Sequence, residues 1–103
     1  CANIAEGIVR ARYRNSREHA EFLEPGRVTE FTIDLWDVAH TFKADHCVRL
    51  EISSSNFPRF DRNLNSKVTP ALGSATDAQK AVQQIFHDQR HPSCLTLPVV
   101  RTC

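Results

Sequence analysis

Three adjacent serines, Ser53 to Ser55, and five histidines are the residues of this chain best suited to nucleophilic catalysis. A nucleophilic serine needs a sharply turned, exposed position with an oxyanion hole beside it. The sequence contains no Gly-x-Ser-x-Gly pattern, and the serines lead from an alternating segment into a polar loop. The sequence therefore predicts loop hydrogen bonding for these hydroxyls, and no catalytic residue.

A second group of reactive side chains consists of His87, Asp88 and His91, which are close in sequence and carry metal-binding atoms. A metal site needs three or four ligands at fixed geometry, with further groups that orient them. Polar side chains in a short connecting segment more commonly bond the backbone of a turn. We therefore expect a turn over residues 88–93, with no metal site and no cofactor.

The cysteines, Cys1, Cys47, Cys94 and Cys103, include no Cys-x-x-Cys pair, which excludes zinc-ribbon and thioredoxin motifs. Because cysteines stand at both ends of the sequence, we expect a trimmed or processed chain. Cys47 and Cys94 occupy outward positions of predicted strands, and a disulfide between them would stabilise the fold by restricting the unfolded chain. The alternative, which we prefer, is two free thiols in a reducing cytosol.

The length of 103 residues accommodates a single domain, residues 1–103. The formal charge of +1 argues against a dedicated nucleic-acid-binding protein, because such proteins usually have a basic excess. Arg10, Arg12 and Arg14 form a local basic row, which we interpret as solvated or paired with carboxylates rather than as a phosphate site. No apolar run approaches the roughly 18 residues of a membrane helix. Neither nucleic acid nor a membrane is an expected partner.

The elements that must position these side chains are predicted from hydrophobic alternation. Five segments alternate apolar and polar residues with the period of a half-buried strand: Ile8–Arg14, Arg27–Trp36, Cys47–Ser53, Ala81–His87 and Cys94–Val100. With no long helical pattern and no βαβ rhythm, they predict an all-β, antiparallel β-sandwich or barrel. The predicted core contains Trp36, Leu50, Ile52 and Leu97.

Turn formers separate these segments. Pro25-Gly26 suits a type II turn, because glycine accepts positive φ without a Cβ clash. A second turn is predicted over residues 43–46. The longest connection, residues 53–69, carries Phe57 and Phe60 among polar residues, which is typical of an ordered functional or docking loop.

The polar residues of that connection could surround its two aromatic rings. Asn56, Asp61, Arg62 and Asn63 are placed to form a hydrogen-bonded patch around Phe57 and Phe60. Such a patch would bind a sugar or a peptide, or dock a neighbouring domain, and we favour docking. The predicted docking loop consists of Asn56, Phe57, Phe60, Asp61 and Arg62.

Four stretches of sequence occur in the order known from one enzyme superfamily. They are Glu6–Arg14, Asp34–Asp37, Val48–Asn63 and His87–Val99. Together they resemble the C-terminal, non-catalytic domain of the X-prolyl dipeptidyl-peptidase superfamily, which includes cocaine esterase-like hydrolases, glutaryl acylases and α-amino-acid ester hydrolases. The resemblance covers the chain from about Ile4 to Val100.

The resemblance implies a jelly-roll sandwich of the galactose-binding-like type. It also implies that the catalytic triad lies in a preceding α/β-hydrolase domain, which would be the partner of this chain. Because the family's domain is about twice as long, the chain looks like its second half, with an incomplete sandwich and a tendency to form homo-oligomers. The predicted function is structural and interactive rather than enzymatic, and the alternative is a carbohydrate or small-ligand binding module.

Overall fold

The computed structural model describes residues 2–100, which divide between Glu51 and Ile52 into two compact units. The division falls inside the third predicted strand, Cys47–Ser53. Cys1 and Cys103, whose positions suggested a trimmed chain, lie outside the described residues.

Two short 3₁₀ helices are the regular elements of the described chain, one in each unit. The first, Ala11–Tyr13, is closed where the Tyr13 amide donates to the Arg10 carbonyl at 2.8 Å. The second, Ala75–Asp77, begins after Ser74, whose amide donates to the Asp77 carboxylate at 2.8 Å. Across residues 2–100, no helix is long and apolar enough to span a membrane.

The prediction of an all-β, antiparallel β-sandwich of the jelly-roll, galactose-binding-like type is wrong for this structure, because no strand occurs within residues 2–100. The first predicted strand instead contains the helix Ala11–Tyr13. Backbone hydrogen bonds of the described residues close turns or join loop segments, and none belongs to a strand ladder. Alternation indicates which face a strand would bury, but a strand forms only when a neighbour satisfies its N–H and C=O groups.

The predicted core is also corrected. Trp36 is 80% exposed and Leu50 is 51% exposed, and Ile52 and Leu97 are similarly open to solvent. The chain has 10204 Å² of accessible surface, whereas a compact monomer of its mass would have about 5,900 Å². Because no sheet forms within residues 2–100, the inward rows of the alternating segments stay largely open to solvent.

Burial in the described chain centres on Leu64, which is 6% exposed and lies in the second unit. Gly73 packs closely on it, since a Cβ built at Gly73 would overlap Leu64 Cδ1 and lie 3.2 Å from Val68 Cγ1. The Gln79 amide donates to the Leu64 carbonyl at 2.9 Å, which ties this small cluster to a later part of the chain.

The predicted turns at Pro25-Gly26 and over residues 43–46 are confirmed. Gly26 has a φ of 79°, and the Arg27 amide donates to the Glu24 carbonyl at 3.1 Å, as a type II turn requires. In the second turn, Asp45 has a φ of 65° and the His46 amide donates to the Lys43 carbonyl at 3.3 Å. Turns depend on neighbouring residues, and local sequence therefore specifies them.

Candidate interaction site

The predicted docking residues belong to a loop of the second unit, residues 56–62, called the interaction loop below. The Phe60 amide donates to the Asn56 carbonyl at 3.0 Å and closes the loop on itself. The Phe57–Pro58 peptide bond within it is cis. The hydrogen bond thus encloses both predicted rings, Phe57 and Phe60, in one closed loop.

Asparagine side chains hold the C-terminal end of the interaction loop. Asn63 Nδ2 donates to the Ser54 carbonyl at 3.1 Å, which joins the two sides of the loop at its base. Asn65 follows with a φ of 50°, a left-handed conformation that asparagine tolerates, and its Nδ2 donates to the Gln79 carbonyl at 3.0 Å. Because Gln79 is itself bonded to Leu64, the base of the loop is connected to the most buried of the described residues.

Two guanidinium groups lie over the two rings of the interaction loop. Arg62 Cζ is 4.9 Å from the Phe57 ring centroid, and Arg59 Cζ is 5.7 Å from the Phe60 centroid. Both distances are within the range of cation–π attraction. Phe57 is nonetheless 59% exposed, so the outer surface of the loop presents an apolar ring beside a stacked cation.

The structure therefore brings the predicted docking residues together and adds one that sequence reasoning missed. Asn56, Phe57, Asp61 and Arg62 are exposed, and Phe60 is half-buried. Arg59 was not predicted to take part, although its position beside Phe60 in sequence was available as a clue. The loop is a mixed aromatic and basic surface.

The serines that could have been nucleophiles bond within their own turn. Ser53 Oγ donates to the Ser55 carbonyl at 3.0 Å and accepts from the Ser55 amide at 3.4 Å. The prediction of loop hydrogen bonding is confirmed for Ser53, because both interactions stay within three residues.

Asp88 is the centre of the turn predicted over residues 88–93. Its Oδ1 accepts from the Arg90 amide at 2.7 Å and from the His91 amide at 2.9 Å, which confirms the interpretation of side-chain to backbone bonding. The backbone N–H of His91, followed by that of Arg90, stabilises the carboxylate and lowers the pKa of Asp88 below its ordinary value. Residues 2–100 contain no group of three or more His, Cys, Asp or Glu arranged to hold a metal ion.

The basic row of the first unit is partly engaged by carboxylate and ring contacts. Arg14 Nη2 lies 2.6 Å from Glu21 Oε1, and Arg14 Nη1 donates to the carbonyls of Ala11 and Glu21. Arg12 lies over the Phe22 ring at 5.3 Å. The predicted pairing with carboxylates is confirmed for Arg14.

Trp36 forms a second exposed feature, in the first unit. Its φ is 63°, an unusual value for a bulky residue, and its amide donates to Asp34 Oδ1 at 2.8 Å. Asp34, Trp36 and Asp37 line a shallow cavity of about 380 Å³. Trp36 is 80% exposed, so its indole is largely in solvent beside this cavity.

Cys47 and Cys94 are exposed and not bonded to each other in this structure, and one lies in each unit. The preferred pair of free thiols and the alternative disulfide both stay predictions.

The second unit thus presents an exposed phenylalanine ring and a stacked guanidinium on a loop whose base is held, next to a serine segment that is bonded to itself. Residues 2–96 match the family of the X-Pro dipeptidyl-peptidase C-terminal non-catalytic domain, and the chain belongs to that family. It is also 34% identical over 98 residues to cocaine esterase from Rhodococcus sp. (strain MB1 Bresler), which covers 95% of this chain.

This chain spans 17% of the length of that cocaine esterase. No solved structure matches it. The resemblance identified from the four sequence stretches is confirmed, and family membership assigns a non-catalytic character to the matched residues.

Proposed function

We propose that the chain is a non-catalytic module of an X-Pro dipeptidyl-peptidase-like serine hydrolase, of peptidase, esterase or acylase type. In this proposal it docks on the α/β-hydrolase domain of the enzyme, supports its structure and assembly, and leaves the reaction to that domain. Membership of the non-catalytic domain family and the likeness to cocaine esterase support the assignment. We further propose that residues 1–103 act as one module, because the family match runs through both units.

The observation that carries the docking proposal is the exposure of Phe57 on a loop whose base is held. Covering a phenylalanine side chain completely is worth about 1.5–3 kcal/mol. Aromatic and arginine side chains also dominate the binding energy of protein interfaces. The bond from Asn63 to the Ser54 carbonyl restricts the loop before binding, which reduces the ordering cost of association.

Amide hydrogen exchange tests this proposal. Exchange at residues 56–62 is compared between the isolated chain and the full-length enzyme that contains it. Docking predicts slower exchange in the enzyme, because the loop amides lose contact with water when Phe57 is covered. Phe57→Ala should restore much of the fast exchange in the enzyme, whereas Val82→Ala, at a position 91% exposed and outside the loop, should not. Equal exchange rates in both contexts would contradict docking through this loop.

A carbohydrate or small-ligand binding module is the second candidate function, and Trp36 is the observation that favours it. An 80% exposed indole offers an apolar face, and Asp34 and Asp37 supply hydrogen-bond acceptors around a cavity of about 380 Å³. Small-molecule sites combine such a surface with a few polar groups. Glycan-array binding that is lost in Trp36→Ala and kept in Phe57→Ala would support it, and an array without binding would remove it.

We also propose that isolated copies self-associate. Large apolar side chains remain open to water in both units, including Val82 and Val99, which are more than four-fifths exposed. Apolar surface of this extent is covered when chains meet. Sedimentation equilibrium over a wide concentration range tests the proposal, and a single species at 11.7 kDa throughout would contradict it.

A further inference from the structure

The Arg62 guanidinium contacts a ring, whereas three other arginines of the described chain form ion pairs. Arg14, Arg27 and Arg49 each have a glutamate within 4.0 Å. Arg62 instead contacts the Phe57 ring, and within residues 2–100 its guanidinium makes no ion pair or hydrogen bond. Asp61, its neighbour in sequence, already has an interaction of its own.

Stacking on a ring prepares a guanidinium for a second, different contact. The ring attracts the cation electrostatically while leaving its N–H groups to bond elsewhere. Those donors form a planar fork that matches the two oxygens of a carboxylate. With its position restricted by Phe57, Arg62 loses less conformational freedom when such a bond forms.

We infer that Arg62, held over Phe57, binds an aspartate or glutamate carboxylate of the α/β-hydrolase domain, so that an acidic patch on that domain receives the interaction loop. This inference rests on the docking proposed above and adds the chemistry of the partner. An apolar ring beside a fork of donors would recognise a carboxylate next to a small apolar depression. A cationic or purely apolar partner surface would bury the N–H donors of Arg62 without acceptors, which is unfavourable.

Carbodiimide cross-linking of the full-length enzyme tests the inference directly. The reagent activates a carboxylate, and an amine in contact displaces the activated group to form an amide, with the urea as leaving product. Arginine does not take part, so Arg62→Lys introduces a reactive amine where a carboxylate is expected. Arg90→Lys is the matched control, because Arg90 is exposed and lies on no aromatic ring among the described residues.

We expect mass spectrometry to find an amide link from position 62 to an aspartate or glutamate of the hydrolase domain, and none from position 90. Removing the ring by Phe57→Leu in the Arg62→Lys enzyme should lower the yield about two- to fivefold, the loss expected of one exposed cation–π contact.

Hydrogen exchange on the same samples distinguishes failure of the carboxylate inference from failure of the docking proposal. A protected interaction loop with no link from position 62 to the hydrolase domain would overturn the carboxylate inference and leave docking intact. An interaction loop that exchanges as fast in the enzyme as in the isolated chain would overturn docking and this inference together.

Discussion

Replacing Leu64 with alanine tests whether stability in the second unit depends on the one cluster that the structure buries. Leu64 is 6% exposed, and Gly73 lies against it, with Val68 also close to Gly73. The substitution removes three carbons from a position that is almost inaccessible to solvent. Leu50→Ala is the matched control, because it makes the same chemical change at a position that alternation placed in the core and the structure leaves 51% exposed.

The two substitutions should differ clearly in cost. A buried leucine replaced by alanine loses both transfer free energy and packing around the cavity, about 2–5 kcal/mol. Leu50 is half-exposed and leaves no enclosed cavity, so its loss is about half of a full transfer term, or roughly 1 kcal/mol. Even the smallest loss expected for Leu64→Ala, about 2 kcal/mol, exceeds the roughly 1 kcal/mol expected for Leu50→Ala.

The Gln79 amide is a suitable reporter because it donates to the Leu64 carbonyl at 2.9 Å. Its hydrogen exchange should accelerate in Leu64→Ala by about 30-fold for a loss of about 2 kcal/mol, up to complete loss of protection. In Leu50→Ala the change at Gln79 should be small, since Leu50 lies in the other unit. A Leu50→Ala effect as large as that of Leu64→Ala would refute the placement of the buried cluster.

Three further predictions concern single positions. Gly7→Ala should destabilise the first unit by about 1–3 kcal/mol in thermal unfolding, because the new Cβ would overlap the backbone carbonyl of Asp34; an unchanged midpoint would contradict that close approach. The Asp88 carboxyl should titrate by NMR below its ordinary value, because backbone N–H groups stabilise its charged form; the turn then keeps this stabilisation above the ordinary aspartate pKa and loses it as the pH falls through the lowered pKa of Asp88. Cys47 and Cys94 should both react with a thiol reagent without denaturant, whereas failure of both to react until a reductant is added would establish the disulfide.

Much of the candidate site was predictable because its structure is local. A side chain that bonds two or three residues away needs no distant partner, and Asp88 and Ser53 both do this in the structure. The turns at Gly26 and Asp45 follow from the same principle. The aromatic and polar composition of residues 56–62 likewise identified the interaction loop, although the stacking of Arg59 on Phe60 depends on three-dimensional placement.

The fold was not predictable in the same way, because strand pairing is a property of two segments and alternation is a property of one. Leu50 and Ile52 lie on the face that a sheet would bury, and they are half-exposed because no strand forms within residues 2–100. The alternating pattern therefore shows that one apolar face must be covered, but it does not show which part of a protein covers that face. The chain spans 17% of a relative's length and belongs to a non-catalytic domain family, and on that basis we propose that other parts of an enzyme cover these open rows. The interaction loop supports that proposal best, because Asn63 holds its base and Phe57 is exposed on it.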